Sequence, residues 1–181
     1  MSAARSMWLI AAAVLLADQI SKYVLLEWVM RPAGVAETPF ASDVVVEVLP
    51  FFNFIMAWNP GISFSLLSVD TDLGRWALVA MQSAITAGVA WWSRSFTTRL
   101  GRIGAGLIVG GGVGNVIDRV RFGAVADFFD FHLGEWHFAT FNVADSFISV
   151  GVALWLLDAV LTSSHHAPAS QGPAPDGQNK D

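Results

Sequence analysis

Apolar residues along this chain gather into four long runs, and polar residues interrupt them at only a few positions. The first run extends from Met7 to Val29 and is broken by Asp18 and Lys22. The second, Trp76 to Trp92, carries no charge. The third, Ile103 to Ile117, is short and uncharged and holds six glycines, at 104, 106, 110, 111, 112 and 114. The fourth, Phe141 to Leu161, has Asp145 near its start and Asp158 near its end. A membrane-crossing helix needs about 20 mostly apolar residues, so the pattern predicts an all-α membrane protein, a bundle of four transmembrane helices. Glycine inside a span lets two helices approach closely. No lysine follows the glycine run in the manner of a phosphate-binding loop, so tight helix packing is its preferred role.

Between the first two runs, residues 30–75 form a loop long enough to have structure of its own. Its stretch VVVEVLPFFNFIM (44–56) is rich in β-branched and aromatic residues and is broken by Pro50. That predicts two short strands, a small extracytoplasmic β-sheet. Residues 1–163 then make one membrane domain. The tail, 164–181, is rich in Pro, Gly, Ser and Gln and is expected to be disordered and cytoplasmic. The apolar character of the first run resumes after Lys22, so an uncleaved span fits better there than a signal peptide.

Charge sets the orientation. Only 14% of the residues are charged, against about 25% in ordinary soluble domains. The loop SRSFTTRLGR (93–102) holds Arg94, Arg99 and Arg102 and no acid. Basic loops stay in the cytoplasm, which places both termini inside, in agreement with Arg5. Trp28, Trp76, Trp91, Trp92 and Trp136 fall near the predicted span ends, where an aromatic belt is expected. The basic residues form no long patch, which argues against a nucleic-acid partner. There is no cysteine, so disulfides, thiolate metal sites and cysteine nucleophiles are excluded. None of the four histidines has metal-site spacing, and no metal or organic cofactor is implied.

On this topology Asp18, Asp118, Asp127 and Asp145 all fall towards the outer half of the bilayer. A charge near the bilayer centre costs at least ~2.5 kcal/mol, so several on one side predict a polar cavity between helices. Asp18 and Lys22 are four residues apart on one helical face, which suits an ion pair. That pair fits helix association and catalysis equally. Asp118 with Arg119 reads as a structural pair at the interface, and Asp158 as an exposed interfacial acid. Asn115 lies three residues before Asp118 and four before Arg119, and Asn142 lies three before Asp145. Asp145 has no base within a turn of its own helix. Asp127 fits a solvated loop acid and a functional one equally. Asp130 and Glu135 read as ordinary solvated loop acids. Two close carboxylates in a low dielectric share a proton, and such a pair can activate water and polarise a carbonyl.

The blocks DQISK (18–22), NPGISFS (59–65), GGGVGNVIDR (110–119), GAVADFFDF (123–131) and FNVADSFISVG (141–151) together resemble the lipoprotein signal peptidase, or signal peptidase II, family. The resemblance implies an intramembrane aspartic endopeptidase of the bacterial cytoplasmic membrane. Such an enzyme removes the signal peptide of a diacylglyceryl-modified prolipoprotein, cutting before the lipidated cysteine at the outer face. It assigns the catalytic pair to Asp127 and Asp145. It makes Asp18, Lys22, Asn59, Gly61, Asn115, Asp118, Arg119 and Asn142 supporting or substrate-contacting residues. It implies membrane lipid as surroundings and a monomer. Pro60 and Ser63 depart from the family's usual residues, and the stretch from Arg31 to Val46 is long for it. Two other classes remain as rivals. A small proton-coupled transporter would spread carboxylates through the whole depth of the bilayer. A non-enzymatic scaffold would leave Asp127 and Asp145 without a role.

Overall fold

The computed structural model describes residues 3–61 and 72–163. Four long helices carry the fold: α1 (Ala3–Val24), α2 (Asp72–Trp92), α3 (Arg99–Phe122) and α4 (Val143–Ser163). The end of α1 widens into a π-helical turn, Leu25–Val29. Three segments are long and apolar enough to cross a membrane: Arg5–Val29, Arg99–Phe122 and Val143–Ser163. The fourth expected span forms a helix of 21 residues, about 31 Å at 1.5 Å per residue. Asp72, Arg75, Gln82, Ser83 and Thr86 lie along it.

The central helix is α3, which packs against α1, α2 and α4. Its glycines explain how. A Cβ on Gly106 would lie 2.8 Å from the Met7 carbonyl oxygen, one on Gly110 2.5 Å from that of Ala11, and one on Gly111 2.6 Å from that of Ala144. Gly106 and Gly110 are one turn apart and bring α1 to backbone contact, and Gly111 does the same for α4. Burial follows membrane logic. Glycine and polar groups fill the interior, while Leu9, Leu16, Ile20, Ile85, Leu156 and Val160 lie exposed on the helix surfaces. Trp28, Trp76, Trp91, Trp92 and Trp136 are exposed too, as an aromatic belt requires.

The fold is not all-α. A four-stranded antiparallel sheet caps one end of the bundle in the order β1 (Val46–Leu49), β2 (Phe52–Asn59), β3 (Val125–Leu133), β4 (Trp136–His137). The first two strands match the expectation for 44–56. The last two replace what the sequence suggested was an irregular outer loop. Gly123 ends α3 in the left-handed conformation (φ 83°), and its N–H donates to the Arg119 carbonyl at 3.1 Å. That turn throws the chain directly into β3. Between sheet and bundle, Leu26, Met30, Phe40 and Ala126 form a small apolar core. At the opposite end Thr98 caps α3, accepting from Gly101 N at 3.0 Å and donating to Asp158 at 2.8 Å. Asp158 is therefore tied to a helix cap and is only half-exposed.

Candidate active site

Four elements meet beneath the sheet: α1, α3, β3 and the start of α4. Asp127 comes from β3 and Asp145 from the first turn of α4. β3 pairs with β2 so that Asp127 lies opposite Ala57. Phe141, just before α4, pairs with Phe129, and its carbonyl accepts from the N–H groups of Phe128 at 3.1 Å and Phe129 at 2.8 Å. This clamp sets Asn142 against Asp127. The Asn142 Nδ2 donates to Asp127 Oδ1 at 2.7 Å.

Asn142 also begins α4. Its Oδ1 accepts from Asp145 N at 3.0 Å, and its own N–H donates to Asp145 Oδ2 at 3.2 Å. The reciprocal pair is a capping box. The same asparagine therefore grips both carboxylates. Asn115 on α3 completes the link, with Nδ2 donating to Asp145 Oδ1 at 2.7 Å and Oδ1 accepting from Asn142 Nδ2 at 3.2 Å. The Asn59 side chain hydrogen-bonds Asp127 and also accepts from Gly61 N at 3.0 Å. Gly61 has φ 125°, a backbone region that favours glycine.

Asp127 is 2% exposed. Burial, and then the charge of Asp145, push its carboxyl up to about 7; the hydrogen bonds from Asn59 and Asn142 and the charge of Lys22 oppose the rise. At neutral pH this carboxyl holds a proton for much of the time. Asp145 lies at a helix N-terminus, where the backbone dipoles favour negative charge. The pair can thus carry one proton between two unlike environments.

A second polar cluster supports the first. Lys22 Nζ lies 2.9 Å from Asp18 Oδ2 and 2.7 Å from Asp118 Oδ2, and donates to Asn115 Oδ1 at 3.1 Å. All three charged groups are buried. Asp18 Oδ1 accepts from Ala144 N at 3.0 Å, and Asp118 Oδ2 from Ala126 N at 3.2 Å. The triplet therefore ties α1 and α3 to the chain segments that bear Asp145 and Asp127. The expected Asp118–Arg119 pair is not formed. Adjacent residues on a helix point to different sides, so Asp118 turns to Lys22. Arg119 instead donates to Gln82 Oε1 at 2.6 Å, and its Nε is buried with no partner among the described residues.

The family model for signal peptidase (SPase) II matches residues 10–161. The chain belongs to the signal peptidase II family. It is 38% identical to the lipoprotein signal peptidase of Methylorubrum extorquens, over 97% of this chain and 94% of that one. It is 38% identical to the lipoprotein signal peptidase of Sphingopyxis alaskensis, over 97% and 100% of the two chains. A solved bacterial membrane enzyme superposes with a TM-score of 0.72 at 25% identity, covering 92% of this chain and 94% of that one.

All ten residues expected at the signal peptidase II site lie around this junction. Gly61 is the most peripheral, joined through Asn59. Sequence reasoning missed several groups beside them. Gln19 donates to Asp18 at 3.1 Å and to Asp118 at 3.3 Å, and Gln82 holds Arg119. Asp130 is not a solvated acid. It is 1% exposed, 2.7 Å from His137 Nδ1, and accepts from Asn53 Nδ2 at 3.4 Å. The β3–β4 hairpin folds His137 back over it. Glu135, at the hairpin turn, is exposed as expected.

Proposed function

We propose that this chain removes signal peptides from prolipoproteins by using Asp127 and Asp145 to activate one water molecule. Signal peptidase II activity itself is the activity of its family. One observation carries the assignment of the pair: Asn142 hydrogen-bonds both carboxylates, which come from different elements. Asp145 takes a proton from water while the water oxygen bonds to the scissile carbonyl carbon. Asp127, protonated, gives its proton to the carbonyl oxygen. The tetrahedral intermediate then collapses. Asp145 passes its proton to the leaving nitrogen, the C–N bond breaks, and the hydroxyl proton returns to Asp127. Arg119 interacts electrostatically with both carboxylates, and its unpartnered Nε supports a role in holding a substrate backbone carbonyl. Asp18, Lys22 and Asp118 act as supports.

The finer features belong to the same proposal. The protein is a bacterial membrane protein; we place all four helices across the cytoplasmic membrane, with the arginine loop and both termini inside. The dyad then lies at the outer face, where a substrate with a diacylglyceryl cysteine keeps its acyl chains in lipid. Residues 1–163 act as one domain, and the tail expected at 164–181 lies outside the described residues. We take the protein to act as a monomer. The buried carboxylates gather at one end of the bundle, and that disfavours the transporter reading.

Purified protein would be given a prolipoprotein with and without the diacylglyceryl group, beside Asp127→Asn and Asp145→Asn. The expected result is cleavage of the lipidated form alone, lost in both variants. Full turnover by either folded variant would remove the dyad.

A further inference from the structure

One apolar cavity lies away from the dyad. It is a groove of about 430 Å³ along α3, open between α1 and α2, with Trp8, Ala87, Trp91, Val109 and Val113 on its walls and Arg94 at one end. The two flanking helices pack on α3 rather than on each other. A second recess of about 290 Å³ adjoins the arginine end, sharing Trp8, Ala90 and Arg94 and adding Ser93 and Arg102. The Arg94 guanidinium stacks 4.7 Å over the Trp91 ring. Among the described residues Arg102 donates only to the Phe96 and Thr97 carbonyls, at 3.3 and 3.0 Å. Neither arginine has a carboxylate partner among the described residues.

We infer that this groove and recess bind one anionic phospholipid, with an acyl chain along α3 and the phosphate between Arg94 and Arg102. The groove runs from Ser83 on α2 to Arg94 just past its end, about 16 Å for eleven residues of helix. A single acyl chain fits along that length. Charge decides the headgroup. Basic recesses between membrane helices select anionic lipid, and the tryptophans at the mouth suit the headgroup level. A substrate's signal helix is the poorer occupant. Its basic N-terminal region would meet Arg94 and Arg102 at the same end in the proposed orientation.

The test is native mass spectrometry of the full chain in detergent, titrated with phosphatidylglycerol or with phosphatidylcholine of identical chains. Parent protein should retain one phosphatidylglycerol and bind phosphatidylcholine roughly 30-fold more weakly, as expected for two arginines at a lipid surface. Arg94→Gln should reduce the preference by roughly 5-fold, and Arg94→Gln with Arg102→Gln should abolish it. Val113→Trp, which fills the groove, should lose both lipids. Free glycerol phosphate should not displace the lipid, because the chain is required. Prolipoprotein cleavage in detergent should keep its KM in every variant. Equal retention of the two lipids by the parent would overturn the inference without touching the dyad. So would displacement by glycerol phosphate, or an unchanged preference in the double variant. A raised KM in Val113→Trp with phosphatidylglycerol still bound would assign the groove to the signal helix instead.

Discussion

Replacing Asp127 by Asn separates the chemistry of the dyad from its cost to stability. Asp127 has its carboxyl raised from 3.8 to about 7 in the folded protein, first by burial and then by Asp145. A carboxyl raised on folding contributes stability that is complete below its unfolded value and declines as pH climbs through the folded one. The shift of about three units corresponds to about 4 kcal/mol in all. Between pH 5.5 and 8.5 the part lost is about 2 kcal/mol. An asparagine does not titrate and can still accept from Asn142 through its carboxamide oxygen. Asp127→Asn should therefore be without activity and yet gain about 2 kcal/mol on the parent as pH rises from 5.5 to 8.5. Thermal unfolding in detergent at the two pH values, with cleavage measured on the same samples, reads both effects. A stability difference that does not change with pH would refute the raised carboxyl. Retained cleavage would refute its role.

Cleavage by the parent should fall as pH rises past about 7, the value to which Asp127 is raised, because the protonated acid disappears; a rate profile from pH 5 to 9 tests this. Asp145→Asn should lower kcat by about 10²–10⁴-fold in a single-turnover assay while the folded protein still binds substrate. Lys22→Met leaves Asp18 and Asp118 buried without their cation and should cost about 3–5 kcal/mol in unfolding experiments. Gly110→Val would force a side chain against the Ala11 carbonyl, 2.5 Å from the added Cβ. It should lower the melting temperature by an amount equivalent to about 1–3 kcal/mol.

Local spacing made half of the site legible. Asp18 and Lys22 are four apart on a helix, and their ion pair is where that spacing puts it. Asn142 and Asp145 are three apart, and they form the capping box that starts α4. The spaced glycines of α3 announced close packing, and the backbone contacts of α1 and α4 are what that packing became. What needed the fold was every link between distant segments. Nothing near Lys22 in sequence points to Asp118, because α1 and α3 meet only after Gly110 and Gly106 let them. The sequence of β3 reads as a loop, because Val125–Phe128 is buried on both sides, which hides the alternation that normally marks a strand. A loop leaves Asp130 to water, whereas the strand gives it to His137 and Asn53. Gln82 is invisible in the sequence for a different reason. Its partner Arg119 reads there as matched to Asp118, and only the direction of the two side chains on α3 shows otherwise.

The asymmetry of the dyad follows from the charges that surround it. Asp18, Asp118, Asp127 and Asp145 bring four potential negative charges to one junction, against Lys22 and Arg119. Lys22 touches both Asp18 and Asp118, so one cation is shared by two anions that are fully buried. Arg119 is drawn to Gln82 and holds no carboxylate directly among the described residues. With every acid ionised the junction would carry a net charge of −2 in a low dielectric, and one proton halves it. Asp18 and Asp118 share the Lys22 ammonium, and Asp145 accepts two hydrogen bonds at the start of α4. Asp127 stands on a strand, which has little net dipole, and is held by carboxamides rather than by a cation. Burial and the charge of Asp145 raise its carboxyl to about 7. The contacts of the one cation among the support residues are thus made with Asp18 and Asp118, and Asp127, raised by burial and by Asp145, is left to act as the acid.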